Sequence, residues 1–239
     1  MKVEIQGVAQ GLGSGSENIV HAVLNHLLHI NQCDALTILM AQNDASQLLK
    51  GVKSLKPGRH LRRVLGDHPF VTVELGELVV ATLLNVTGKW SRKRKLTLKS
   101  NQLLLESGLL EELRDIRELT LDGVSGQLIK QLPVLRLLKT IHIKSLKLRS
   151  ISALHTLLTQ TSQLQKITFD RLNHKTIVKC ARSPLVFAWL LRDPDLRAST
   201  TQLLMNMTSR DPQLCKHLSY LVSDVEGLDA GDQLLWVWY

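Results

Sequence analysis

Apolar and polar residues alternate in four short runs, Leu96-Thr97-Leu98, Leu119-Thr120-Leu121, Ile141-His142-Ile143 and Ile167-Thr168-Phe169. Their first residues lie 23, 22 and 26 positions apart. Alternation with a period of two marks a strand that is apolar on one face, because successive side chains point to opposite sides of a sheet. In the last three runs an apolar residue also stands three positions earlier (Ile116, Leu138, Leu164) and another three positions later (Val124, Leu146, Leu172). Leucines at helical spacing fill the intervals 103–113, 126–138 and 150–162. A strand followed by a helix, repeated at a nearly fixed period, predicts stacked units that bury one another's apolar faces, since no single unit covers its own.

These positions spell the frame L-x-x-L-x-L-x-x-x/N-x-L, and the region 95–173 resembles the leucine-rich repeat family. The resemblance implies an α/β solenoid with parallel strands on the concave face and helices on the convex face, used mainly to grip other macromolecules. The same frame fits Phe70, Val73, Leu75 and Leu78, with Val73 lying 23 residues before Leu96. Regular repeats are therefore expected over 70–180, with the strand at Phe70 one repeat before the strand at Leu96. Strand-like runs at Val3-Glu4-Ile5 and Ala35-Leu36-Thr37-Ile38-Leu39-Met40, with a helix from about Ala45 to Val52, make 1–69 an irregular N-terminal set of β/α repeats or a cap.

Beyond Arg182 the pattern changes. Arg192-Asp193-Pro194 and Arg210-Asp211-Pro212 recur 18 residues apart, each with an Asp suited to an N-cap and a Pro suited to the first helical position. A mainly helical C-terminal cap over 181–239 is expected, closing the exposed end of the array. A helical-repeat module of armadillo type is the alternative. The final Leu234-Leu235-Trp236-Val237-Trp238-Tyr239 reads as a last strand or as an apolar strip covered by a partner.

Charge sharpens this picture more than composition does. Residues 91–180 hold 17 Lys and Arg against 7 Asp and Glu, whereas 1–90 hold 8 against 7 and 181–239 hold 5 against 7. The whole excess thus lies in the repeats, and a localised basic surface favours an acidic partner and speeds association with it. The period-two rule places Glu74, Thr97, Thr120, His142 and Thr168 in one outward file across the sheet. The next file, Gly76, Lys99, Asp122, Lys144 and Asp170, alternates in sign and predicts cross-strand pairing. The unbalanced charges lie elsewhere: Lys147, Arg149, Arg171 and Lys175 fall just past strand ends and are expected to cluster along one rim. With His142 and Lys144 on the adjoining concave face, they are the candidate partner-binding residues. The densest basic run, Ser91-Arg92-Lys93-Arg94-Lys95, reads as a solvated loop, with a short nuclear-import signal at Arg92–Lys95 as the competing reading.

Candidate chemistry is sparse. Gly11-Leu12-Gly13-Ser14-Gly15-Ser16 follows a strand-like run, yet it lacks the Lys-Ser/Thr of a phosphate loop, and Ser14 with Glu17 reads instead as a capping box. His26, His29 and Cys33 share one helical face but lack a fourth ligand, so a half-buried face is preferred and no metal is expected. Cys33, Cys180 and Cys215 form no C-x-x-C pair, which suits a reducing compartment. No apolar run reaches the roughly 18 residues of a membrane span, and the first residues lack a basic region followed by an apolar stretch. A cytoplasmic or nuclear location is expected, with the sequons at Asn85 and Asn206 read as chance. No G-x-S-x-G, H-E-x-x-H or Walker lysine occurs. The expected function is a non-enzymatic protein–protein interaction scaffold or adaptor, a subunit of a larger complex, with no cofactor and with a basic rim for an acidic partner. Nucleic-acid binding through the basic 130–179 surface is the alternative, and a nucleotide-using α/β enzyme built on the glycine segment is the second.

Overall fold

The computed structural model describes residues 2–6, 35–39, 42–54, 70–75, 78–83, 93–99, 104–170, 172–193 and 196. Among these residues eight strands form one sheet: β1 (Lys2–Gln6), β2 (Ala35–Leu39), β3 (Phe70–Leu75), β4 (Leu78–Leu83), β5 (Lys93–Leu98), β6 (Ile116–Val124), β7 (Thr140–Leu146) and β8 (Lys166–Phe169). Their order across the sheet is their order along the chain. Pairing is parallel from β1 to β3 and again from β5 to β8, and antiparallel on both sides of β4. The described helices are α1 (Gln42–Ser54), α2 (Ser107–Glu112), α3 (Gly126–Gln131), α4 (Ile151–Thr159), α5 (His174–Cys180) and α6 (Pro184–Arg192). The fold is α/β, with a mostly parallel sheet.

The strand at Phe70 does not pass directly to the strand at Leu96, because β4 stands between them and pairs with both. Only Gly76 and Glu77 separate Leu75 from Leu78. Two residues can join strands only as an antiparallel hairpin, whereas a parallel return needs a dozen or more. Leu78, which fits the last apolar position of the repeat frame, instead opens β4, where Leu78 and Val80 are buried.

From β5 onward the alternation read from sequence governs burial. Leu98, Leu121, Ile143 and Phe169 are register partners, and Leu96, Leu119, Ile141 and Ile167 form the neighbouring inward file. All eight are buried in one core with Leu109, Leu128, Leu154 and Leu157 of the helices. The first outward file runs Glu74, Val79, Thr97, Thr120, His142 and Thr168, all half-buried, so it is the expected file with one β4 residue inserted. The second outward file is not as expected. Register shifts in β6–β7 set Asp122 opposite Ser145 and skip Lys144, with Gly123 at φ 64° taking up the irregularity. Among the described residues an ion pair on this face joins Lys95 and Glu118 at 2.5 Å, in a partly exposed setting that makes it worth about 0–1 kcal/mol.

Two further expectations change. The leucine pattern over 126–138 stops being helical at Gln131, because Pro133 has no N–H to donate and forces the preceding Leu132 into extended backbone (φ −61°, ψ 134°). The basic run is not a solvated loop: Lys93–Lys95 lies inside β5, and Arg94 is 0% exposed because it shares the inward period of Leu96 and Leu98. Ser91 and Arg92, the glycine segment 11–16, His26, His29, Cys33, Cys215, the second Arg-Asp-Pro copy and Leu234–Tyr239 lie outside the described residues.

The helical layer crosses the hairpin. Helix α1 follows β2 yet packs on α2, which follows β5. The Gln42 side chain joins them, its Nε2 donating to the Leu104 carbonyl at 3.0 Å and its Oε1 accepting from the Glu106 N–H at 2.9 Å.

Candidate functional site

The basic residues past β7 are held by a stack of strand-to-helix corners. After β6, Ser125 caps α3 by accepting from the Leu128 N–H at 3.2 Å. After β7, the 3-10 turn Leu148–Ser150 leads into α4. After β8, Asn173 caps α5, its Oδ1 accepting from the Thr176 N–H and hydroxyl, each at 2.9 Å. The first two corners lock together. Fully buried Ser150 donates its hydroxyl to the Val124 carbonyl at 2.7 Å. A Cβ on Gly126 would stand 3.0 Å from the Arg149 carbonyl, so any side chain there requires the neighbouring backbone to give way by a few tenths of an ångström.

With their backbone fixed, Lys147, Leu148 and Arg149 project to solvent. Leu148 and Arg149 form a shared wall between two clefts. One, of about 590 Å³, takes in Lys147, Arg149, Ser125, Asn173 and Thr176. The other, of about 630 Å³, takes in Arg149 together with Lys179, Arg182, His155 and Ser183. His155 Nδ1 lies 3.0 Å from the Ser183 hydroxyl, fastening α4 to the residue that precedes α6. Among the described residues no carboxylate lines either cleft. Four cations therefore face two adjoining concavities without an internal counter-charge, an arrangement that raises the local concentration of anions.

A third cleft, of about 720 Å³, lies between the outward face of β7–β8 and the end of α6. His142 reaches it, with Nδ1 2.6 Å from the Thr168 hydroxyl. The Arg192 guanidinium sits 4.7 Å from the centre of the Trp189 ring. Lys166 and Arg192 are offset there by Asp170 and Asp193, so this cleft has no one-sided charge.

The six candidate residues are thus divided between two places. Lys147 and Arg149 meet at the rim, and Lys175 is exposed on α5, beside Thr176 of the first cleft. His142 and Lys144 belong to the sheet face, and Arg171 lies outside the described residues. Sequence reasoning missed Lys179 and Arg182 as rim residues. Lys175 and Lys179 stand at i and i+4, the spacing of one helical face, whereas Arg182 lies in the turn after α5 and had no such signal.

Cys180 ends α5 as a free, buried thiol, and burial pushes its pKa up from 9.0 to about 12. Among the described residues no cluster of three His, Cys, Asp or Glu side chains is placed to hold a metal ion, and no described helix is long and apolar enough to cross a membrane. No family model, curated protein or solved structure matches this chain.

Proposed function

We propose that the protein is a non-enzymatic interaction scaffold, a subunit of a larger complex, that meets an acidic protein partner through the basic rim at the strand-to-helix corners. The observation that carries this reading is the convergence of Lys147, Arg149, Lys179 and Arg182 on two adjoining clefts in which no described carboxylate answers them. Cations used only for solubility gain nothing from lining a concavity, where each raises the electrostatic cost of the next. A partner's acidic groups relieve that cost, and the rigid corners spare the partner the entropy of ordering them.

The architecture that suits this role is a short leucine-rich-repeat-like solenoid, interrupted by the β3–β4 hairpin. Its support is the match between strand order and chain order, the in-register inward files, and the recurring strand-corner-helix unit from β5 to α5. Repeats of this kind offer a broad preformed surface rather than a catalytic crevice. The test is affinity purification from native cells of the natural chain beside a variant with Lys147, Arg149, Lys179 and Arg182 changed to Glu. Loss of the same acidic protein in the variant, with helix and strand content unchanged, is expected. An identical set of partners for both chains would contradict the reading.

A further inference from the structure

We infer that the cleft walled by Arg149, Lys179 and Arg182 is a phosphoryl pocket that takes a phosphorylated side chain of a protein segment. The inference rests on the scaffold reading above and names the chemistry of its partner.

The two clefts share an anionic preference but differ in content. The first holds Lys147 and Arg149 beside Ser125, Asn173 and Thr176, and its cap groups are already engaged with backbone and hydroxyl partners. The second is lined by two arginines and one lysine, Arg149, Arg182 and Lys179. A carboxylate carries one charge, whereas a phosphate monoester carries about −1.5 to −2 and three acceptor oxygens. Two planar forks and an ammonium match such a group more completely than they match a carboxylate. The exposed hydroxyl of Ser152 lies on the same wall, while that of Thr156 donates to the Ser152 carbonyl at 3.1 Å. A row of duplex phosphates is read by cations spread along a surface, while here three cations line one cleft of about 630 Å³.

The flanks fit a peptide. Leu148, 37% exposed, stands at the boundary of the two clefts. A peptide whose phosphorylated residue enters the second cleft crosses this apolar wall and brings its neighbouring residue towards Lys147. The ligand class is therefore a phosphorylated segment with an apolar residue and an acidic residue close by.

The experiment is fluorescence anisotropy of the full chain with three labelled probes at fixed salt: a degenerate peptide pool with a central phosphoserine, the matching pool with glutamate in its place, and a short oligouridylate. The phosphoserine pool is expected to bind at least about ten-fold more tightly than the glutamate pool. Arg182→Ala and Lys179→Ala are expected to remove that preference, Arg182→Lys to reduce it, and Lys130→Ala, an exposed cation outside both clefts, to leave it intact. Equal affinity for the two peptide pools overturns the phosphoryl pocket and leaves the acidic-partner reading standing. Tighter binding of oligouridylate, lost in the same variants, overturns both in favour of nucleic acid. No binding of any probe overturns the pocket, whereas the scaffold reading is then decided by its own purification test.

Discussion

The guanidinium of Arg94 lies in the core and donates from Nη1 to the main-chain carbonyl of Glu112, the last residue of α2. Its Nη2 stands 3.8 Å from the Glu112 carboxylate. Burial lowers the pKa of the guanidinium, while the charges of Asp115 and Glu112 raise it. One side chain thus satisfies a helix-terminal carbonyl and stands opposite a buried carboxylate, tying β5 to α2.

Removing either partner takes from the other a buried group of opposite charge 3.8 Å away, while Asp115 continues to act on Arg94. Arg94→Met and Glu112→Leu are each expected to lower stability by about 3 kcal/mol, and the double variant to lose clearly less than the sum, because the desolvated charges leave together. Urea unfolding of the four chains checks this, and strict additivity would show that the two side chains act independently.

The corner stack makes a similar prediction at the rim. Ser150→Ala is expected to cost about 1–2 kcal/mol, since the buried Val124 carbonyl loses its hydroxyl donor. Gly126→Ala is expected to destabilise by about 1 kcal/mol or more, because the new Cβ meets the Arg149 carbonyl at 3.0 Å and backbone must move. Thermal unfolding measures both, and each variant should also loosen binding at the rim through displacement of Arg149.

Cys180 provides a pH signature. Below pH 9.0 its thiol is protonated in folded and unfolded chains alike, so its contribution to stability is fully present. Between pH 9.0 and about 12 the unfolded chain ionises and the folded chain does not, so stability falls as pH rises. The loss attributable to this group is at most about 4 kcal/mol. Cys180→Ala is expected to flatten the alkaline decline relative to the natural chain. In the native state Cys180 should also resist thiol reagents that modify it readily after denaturation.

Much of the fold was legible because period-two burial is a strong constraint. Leu96-Thr97-Leu98 and its three counterparts have only one register that hides every apolar residue, and the structure adopts it. The same rule placed Arg94 on the core face beside Leu96, but its charge suggested a solvated loop; burial of a cation becomes sensible only once Glu112, 18 residues later, is seen beside it. Strand β4 was hidden for another reason. Its first leucine satisfied the repeat frame, and the two-residue spacer Gly76-Glu77 carried the only sign that the chain reverses. The contact of Gln42 with Glu106 spans 64 residues and has no local signal at all. At the site, strand-end position identified Lys147 and Arg149, since a residue just past a parallel strand falls on the corner. Lys179 and Arg182 needed the packing of α5 beside the turn at Leu148, which depends on where Asn173 caps the helix.

The basic rim as binding surface is tested most directly by amide NMR of the full chain titrated with polyglutamate. The expected result is that shifts concentrate at Lys147–Ser150 and Lys175–Ser183, with Thr97, Thr120, His142 and Thr168 on the sheet face unmoved. Shifts centred on that threonine file, or none at either surface, would contradict it.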